Sequence, residues 1–307
     1  MMRLKLLISK TMLLLVFACS SAPEATSDEV DLTRLPIGDG KISNGPEAGS
    51  VWSCSTQFRI PGPNSKVGDW FKDDGTFDMT AKPIVEGEVL WPSDISIVRD
   101  GDRRVLTSNL LPDHPTGEYP IAPDSEPYKY DHNPNAIEEQ DVLASFPALP
   151  EFADQPSCLS MGPIGVMLSG ASIFNSLDDA GKDAVAHEIQ DSCQGHPMGT
   201  GVYHYHSLSL CQEGNEKGDD HSPLVGYALD GFGIYGHLGK AGKVLTNEDL
   251  DACHGHTHSI EWDGDERTLY HYHATWEYPY TLGCFMGTPA TLEGLRENDN
   301  PNRNRRR

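Results

Sequence analysis

The tetrapeptide Tyr-His-Tyr-His occurs at Tyr203 to His206 and again at Tyr270 to His273, each time preceded by Cys-x-Gly-His and followed by another cysteine. Imidazoles at alternate positions suit metal chemistry. In an extended strand His204 and His206 point one way, about 6.6 Å apart at Cα, while Tyr203 and Tyr205 point the other. The two nitrogens can then reach one ion, and the upstream His196 can return a third on a turn that Gly195 allows. The second copy offers the same set as His271, His273 and His256, and adds His254 and His258 at alternate positions. Asp251, Asp230 and Glu261 are close in sequence. His187 and Glu188 stand ahead of the first copy, but the second has Asn247-Glu248 in their place. His187 therefore ranks last among the candidate ligands.

Ligands of this kind, without thiolate, point to Zn(II) or Cu(II); Ca(II) is possible but wants more oxygen donors than the pattern supplies. A second reading stays open, in which tyrosine and histidine alternate to build a hydrogen-bonded sheet with no ion. All but two of the 13 histidines lie between His187 and His273, and they recur in register. That recurrence favours the metal.

Asp191, Cys193, Gly195, His196, Tyr203 to His206 and Cys211 align with Asp251, Cys253, Gly255, His256, Tyr270 to His273 and Cys284. Upstream, Gly165, Leu168, Gly170, Ile173, Phe174 and Leu177 align with Gly226, Leu229, Gly231, Ile234, Tyr235 and Leu238. Residues 164–211 and 225–287 are thus two copies of one unit, within a duplicated domain expected over 156–290.

The elements that must position these residues read mainly as short strands: Ile164 to Leu168, Val225 to Leu229, and a hairpin in which Asp263-Gly264 turns Ser259 to Trp262 back into Thr268 to Ala274. Asp178 to Gln190 is expected as a helix, with an apolar stripe of Leu177, Ala184, Val185 and Ile189, and a shorter helix is expected over Asn247 to Ala252. Residues 31–155 hold β-type runs at Ser50 to Phe58, Ile84 to Leu90 and Ile95 to Val98. The proline-punctuated stretch Leu111 to Pro150 cannot form regular helix or a central strand, and should wrap the second segment. The expected fold is mainly β with a few short helices, internally duplicated and braced by disulfides.

Arg3, Lys5 and Lys10 followed by the apolar run Met12 to Ala18 read as an export signal over residues 1–18, too short to span a bilayer. Val16-Phe17-Ala18-Cys19 looks like a lipobox, which would make Cys19 a lipid anchor in the outer membrane or cell surface and 19–30 a tether; the alternative is cleavage to a soluble secreted or periplasmic protein. In an exported chain the other six cysteines suggest disulfides. If each repeat is self-contained, Cys193 pairs with Cys211 and Cys253 with Cys284, leaving Cys54 for Cys158; crossed pairing between the repeats stays open. The formal charge is −23, which argues against a nucleic-acid partner. Residues 291–307, ending in an arginine cluster, read as a disordered tail.

Gly195-His196-Pro197, Tyr203 to His206, the run from Gly226 through Asp230 to Tyr235, Gly255-His256-Thr257-His258 and Tyr270 to His273 together resemble the YHYH domain family. The likeness continues upstream through Asn109 to Gly117, Tyr130 to Asn135 and Asp183 to Glu188. It implies an exported, histidine-rich domain and brings no reaction with it. Three functional readings follow from the residues. The leading one is a tethered protein that binds Zn or Cu. The runner-up is a metal-dependent enzyme in which bound water is activated, with Glu188 or Asp230 as general base. The third is a structural or adhesive module. No Gly-x-Ser-x-Gly, His-Glu-x-x-His or phosphate-cradling loop is present to support other enzyme classes.

Overall fold

The computed structural model describes residues 30–58, 67–212 and 221–296. The expected export signal, the candidate lipidation site Cys19, nearly all of the tether and the arginine-rich end lie outside the described residues. The fold is mainly β.

Strands β1 (Ile95–Asp100), β2 (Arg103–Ser108) and β3 (Val142–Pro147) form an antiparallel three-stranded sheet in that order. The proline-rich stretch thus ends in a regular strand, although at a sheet edge, where a missing N–H is tolerated. Of the other β-type runs, Ser50 to Phe58 contributes only the two-residue strand Val51–Trp52. Ile84 to Leu90 makes isolated bridges at Val85 and Val89.

The duplicated unit builds a single eight-stranded sheet. Its members are β4 (Pro163–Met167), β5 (Ser172–Phe174), β6 (Gly195–Pro197), β7 (Tyr203–Tyr205), β8 (Leu224–Ala228), β9 (Gly233–Tyr235), β10 (Gly255–Trp262) and β11 (Asp265–His273). The order is β6-β7-β5-β4-β8-β9-β11-β10, so each repeat supplies four adjacent strands and the two halves meet at β4 and β8. Pairing at this seam is antiparallel, with Gly226 opposite Met167, Tyr227 opposite Val166 and Ala228 opposite Gly165. Within each half the relations repeat: β7 runs parallel to β5 with Tyr205 beside Ile173, and β11 parallel to β9 with Tyr272 beside Ile234. The sheet is therefore a pseudo-twofold assembly. The expected hairpin forms from β10 and β11, and Asp263 and Gly264 both take the positive φ that a tight two-residue turn requires.

The expected helix over Asp178 to Gln190 shrinks to α1 (Ala184–His187). Side-chain competition explains this. The Asp178 carboxylate accepts from the backbone N–H groups of Ala180 and Lys182, Gly181 adopts φ +75°, and Asp183 caps α1 by accepting from Val185 and Ala186. Local acceptors of this kind hold the backbone in turns rather than in a continuous helix. Asn247–Asp249 is a single 3₁₀ turn held by a capping box from Thr246, shorter than the helix expected to Ala252.

The disulfides are Cys54–Cys158, Cys193–Cys211 and Cys253–Cys284. Pairing is thus self-contained in each repeat, and the third bridge ties the N-terminal segment to the start of the duplicated one. Polar bonds reinforce this: buried Lys82 donates to the carbonyls of Val185 and Glu188 and to the Gln190 side chain, and the Trp70 indole donates to Ala186 O.

His237 lies buried against Trp276, the two rings stacked 4.4 Å apart, and burial pushes its pKa down to about 3. Such a group stabilises the fold while neutral, above the unfolded value of about 6.5, and that contribution is lost as pH falls from about 6.5 towards 3. Between pH 7 and pH 5 the loss is about 2 kcal/mol. Urea unfolding of chelator-treated protein at the two pH values should show a fall smaller by that amount in His237→Gln than in wild type.

Candidate metal centres

Two clusters of imidazoles occupy equivalent places in the two halves. In the first, His196 and His204 are direct cross-strand partners on β6 and β7, so their side chains share a face, and His206 follows on the same face. In the second, His256 and His271 are direct partners on β10 and β11 and His273 takes the place of His206. The ligand-capable atoms of His196, His204 and His206 lie within 4.8 Å of one another. The same holds for His221, His256, His258, His271 and His273.

Hydrogen bonds fix which nitrogen faces inward. His204 Nδ1 meets Val202 O at 3.2 Å and its counterpart His271 Nδ1 meets Leu269 O at 3.0 Å. His206 Nδ1 meets Asn175 O at 2.5 Å, and His273 Nδ1 meets Gly236 O at 2.7 Å. A carbonyl only accepts, so each Nδ1 carries the proton and each Nε2 presents a bare lone pair. These nitrogens converge: His204 Nε2 is 3.2 Å from His206 Nε2, and His273 Nε2 and His271 Nε2 lie 3.0 Å and 3.3 Å from His221 Nε2. His221 too has its Nδ1 engaged, 2.7 Å from Ser222 O. Opposed lone pairs at this distance repel unless a cation stands between them. Two nitrogens on one tetrahedral ion, with bonds of about 2.0–2.1 Å, stand about 3.3 Å apart, so the spacing fits shared coordination.

The clusters differ in their surroundings. Glu188 Oε2 lies 3.2 Å from His196 Nε2 and 3.1 Å from His206 Nε2, yet forms a hydrogen bond with neither. Burial works to raise the Glu188 carboxyl, but the charge and contacts of His196 and then His206 outweigh it and hold its pKa well below the usual value. For His196 burial works downward and Glu188 prevails, raising its pKa. The first cluster thus favours one positive charge among its members. In the second, burial dominates and lowers His271 and His273, and lowers His256 to about 4, with neighbouring imidazoles adding to the effect. Those rings are kept neutral and ready to donate their lone pairs.

The scaffold beneath each cluster repeats. Asp191 Oδ1 accepts from the N–H groups of Cys193 (3.0 Å) and Gly195 (3.1 Å), and the Tyr203 hydroxyl donates to the same carboxylate. Asp251 Oδ1 does the same for Cys253 (2.9 Å), Gly255 (3.1 Å) and Tyr270 (3.1 Å). The first tyrosine of each motif is therefore an anchor for the turn that carries the Gly-His ligand. The second is braced behind the sheet, Tyr205 by His114 Nε2 at 2.5 Å and Ser169 Oγ at 3.1 Å, Tyr272 by Asp230 at 2.6 Å.

The glycine of Cys-x-Gly-His serves a different purpose from the turn expected for it. The positive φ belongs to the residue before, Gln194 (62°) and His254 (74°), whereas a Cβ at Gly195 would run into the Tyr203 ring and one at Gly255 into Tyr270. Gly195→Ala should cost about 1–3 kcal/mol by overpacking, read from the urea midpoint, with Gly255→Ala behaving alike.

Three expected site residues stand apart from the clusters. His254 breaks the strand alternation because of its left-handed backbone, and its ring turns away to meet Thr275 Oγ1 at 3.0 Å. His187 closes α1 and meets the Asp39 carboxylate at 3.0–3.1 Å, packed on Phe71. Asp230, considered as a general base, is committed to Tyr272 and to the N–H groups of Met286 and Gly287. His221 belongs to the second cluster although it lies outside both repeat motifs; its only sequence signal was its place among the concentrated histidines. A third convergent group, His114 with Cys193 and Cys211, has its sulfurs tied in a disulfide.

No curated protein and no solved structure matches the chain. Residues 143–245 match the model of the YHYH protein family, a span that takes in the whole first cluster and ends before His256, and the chain thus carries a YHYH domain.

Proposed function

We propose that this is an exported transition-metal-binding protein that holds one Zn or Cu ion in each half of its sheet. The observation that supports the reading is the convergence of imidazole Nε2 atoms at 3.0–3.3 Å in both halves, with the Nδ1 protons of His204, His206, His271 and His273 directed to carbonyls at matching positions. Backbone partners of this kind fix the tautomer and ring orientation of metal-binding histidines. First-cluster ligands would be His196, His204 and His206; second-cluster ligands His256, His271 and His273, joined by His221 and His258. Export and attachment to a membrane through lipidated Cys19 complete the proposal. Three disulfides suit an oxidising compartment.

Glu188 favours binding over the hydrolytic alternative. Its carboxylate lies against two imidazole nitrogens, where it would share in holding an ion rather than activate a water beyond it.

Five inter-strand steps separate β7 from β11, about 24 Å at about 4.8 Å each, so two ions would be bound independently. Elemental analysis of tag-free protein is expected to give two ions per chain, with His204→Ala and His271→Ala each losing a different one. A metal-free wild type, or simultaneous loss of both ions in either variant, would overturn the proposal.

A further inference from the structure

The two copies of the site have not kept the same donors. The first has three imidazoles, all nearly buried, and one carboxylate oxygen within 3.2 Å of two of them. The second has five imidazoles. Its extra members, His221 and His258, align with Ser160 and Met198 of the first repeat, and Glu188, which touches two of the first three imidazoles, aligns with Glu248.

Number and spacing limit what the second cluster can hold. Five donor atoms all within 4.8 Å of one another fit around a single ion, because donors opposite each other on bonds of about 2.1 Å stand about 4.2 Å apart. Two ions about 3.5–4 Å apart would spread their outer ligands well beyond that. A four-donor set of three nitrogens and one oxygen suits tetrahedral Zn(II), whereas a nitrogen-rich set with more than four donors suits the tetragonal preference of Cu(II).

Building on the metal-binding reading, we infer that the halves have diverged in metal: the first site, with Glu188 as its fourth ligand, takes zinc, and the second, completed by His221 and His258, takes copper(II). The carboxylate cancels part of the ion's charge in the buried site. The second site, lined partly by half-exposed His221, His256 and His258, leaves its ion the full charge and closer to solvent.

Because copper outcompetes zinc at most nitrogen sites, its distribution must be read with copper limiting. Tag-free full-length mature protein, stripped with chelator, would receive one equivalent each of Cu(II) and Zn(II). Elemental analysis should find one of each, and the copper electron paramagnetic resonance spectrum should show coupling to several imidazole nitrogens. Glu188→Gln should weaken zinc retention at least about 10-fold and leave the copper spectrum unchanged. His221→Ala and His258→Ala should each alter the copper spectrum and leave zinc content unchanged, and a wild-type melting transition in these variants shows that the fold persists. A copper spectrum that responds to Glu188→Gln, or that ignores both histidine variants, would overturn the assignment while leaving metal binding intact. A wild-type protein retaining neither ion would instead remove the reading on which the assignment rests.

Discussion

Replacing Asp191 with alanine is expected to destabilise the protein by about 3–5 kcal/mol, more than any single ligand histidine should. One buried carboxylate there accepts from Cys193 N, Gly195 N, Gly117 N and the Tyr203 hydroxyl. Removing it leaves these donors without an acceptor away from water, at about 1–3 kcal/mol for each group left unsatisfied, offset where the site can relax. Burial raises the pKa of the carboxyl, so the native bonds must repay the desolvation of a charge. The first metal should be lost as well, since His196 hangs on the turn that Asp191 closes. Asp251→Ala removes a homologous cap with fewer donors at an exposed residue, and about 1–3 kcal/mol is expected. Paired urea titrations of the two variants, with metal analysis of each, measure the contrast. Equal small losses would refute the role assigned to Asp191.

Chelation should have the larger effect on heat stability. A ligand that binds only the folded state at a thousand times its dissociation constant adds about 4 kcal/mol, so two independent ions add about 8 kcal/mol. At about 2–4 °C per kcal/mol for a chain of this size, the melting temperature should fall by about 15–30 °C on treatment with chelator and recover on adding Zn or Cu. The physical source would be the crowding of imidazole nitrogens at 3.0–3.3 Å, which a shared cation would relieve. His204→Ala should lose only about half of the response. A melting temperature indifferent to chelator would show that the imidazoles are satisfied without an ion.

Much of this arrangement was legible in the residues. The recurrence of Asp-x-Cys-x-Gly-His and Tyr-His-Tyr-His gave the two clusters and their registers, because a period-two strand pattern carries its own geometry. Asp263-Gly264 marked the β10–β11 hairpin, and the duplication favoured the disulfide pairing that is present. What was hidden depended on contacts between distant segments. His221 comes from the link between the repeats and meets His271 and His273 some fifty residues later, which no local pattern reveals. His254 looked like a strand ligand until its positive φ turned it away. The apolar spacing over Asp178 to Gln190 fits a helix, but Asp178 and Asp183 take backbone donors for themselves and leave one turn. The same interruption ends α1 at His187, and the extended Glu188 that follows lies beside the first cluster.

The seam between β4 and β8 has a bearing on ancestry. Its partners exchange roles under the repeat alignment: Gly226 faces Met167 just as Gly165 faces Ala228, and the bond from Leu168 N to Val225 O is mirrored by that from Leu229 N to Ile164 O. A lone copy of this unit would expose that strand as an open, self-complementary border, the kind of border that closes by meeting itself across a rotation axis. A single copy of this unit would be expected to pair with itself as a homodimer, and carrying two copies in one polypeptide lets each half change without the other.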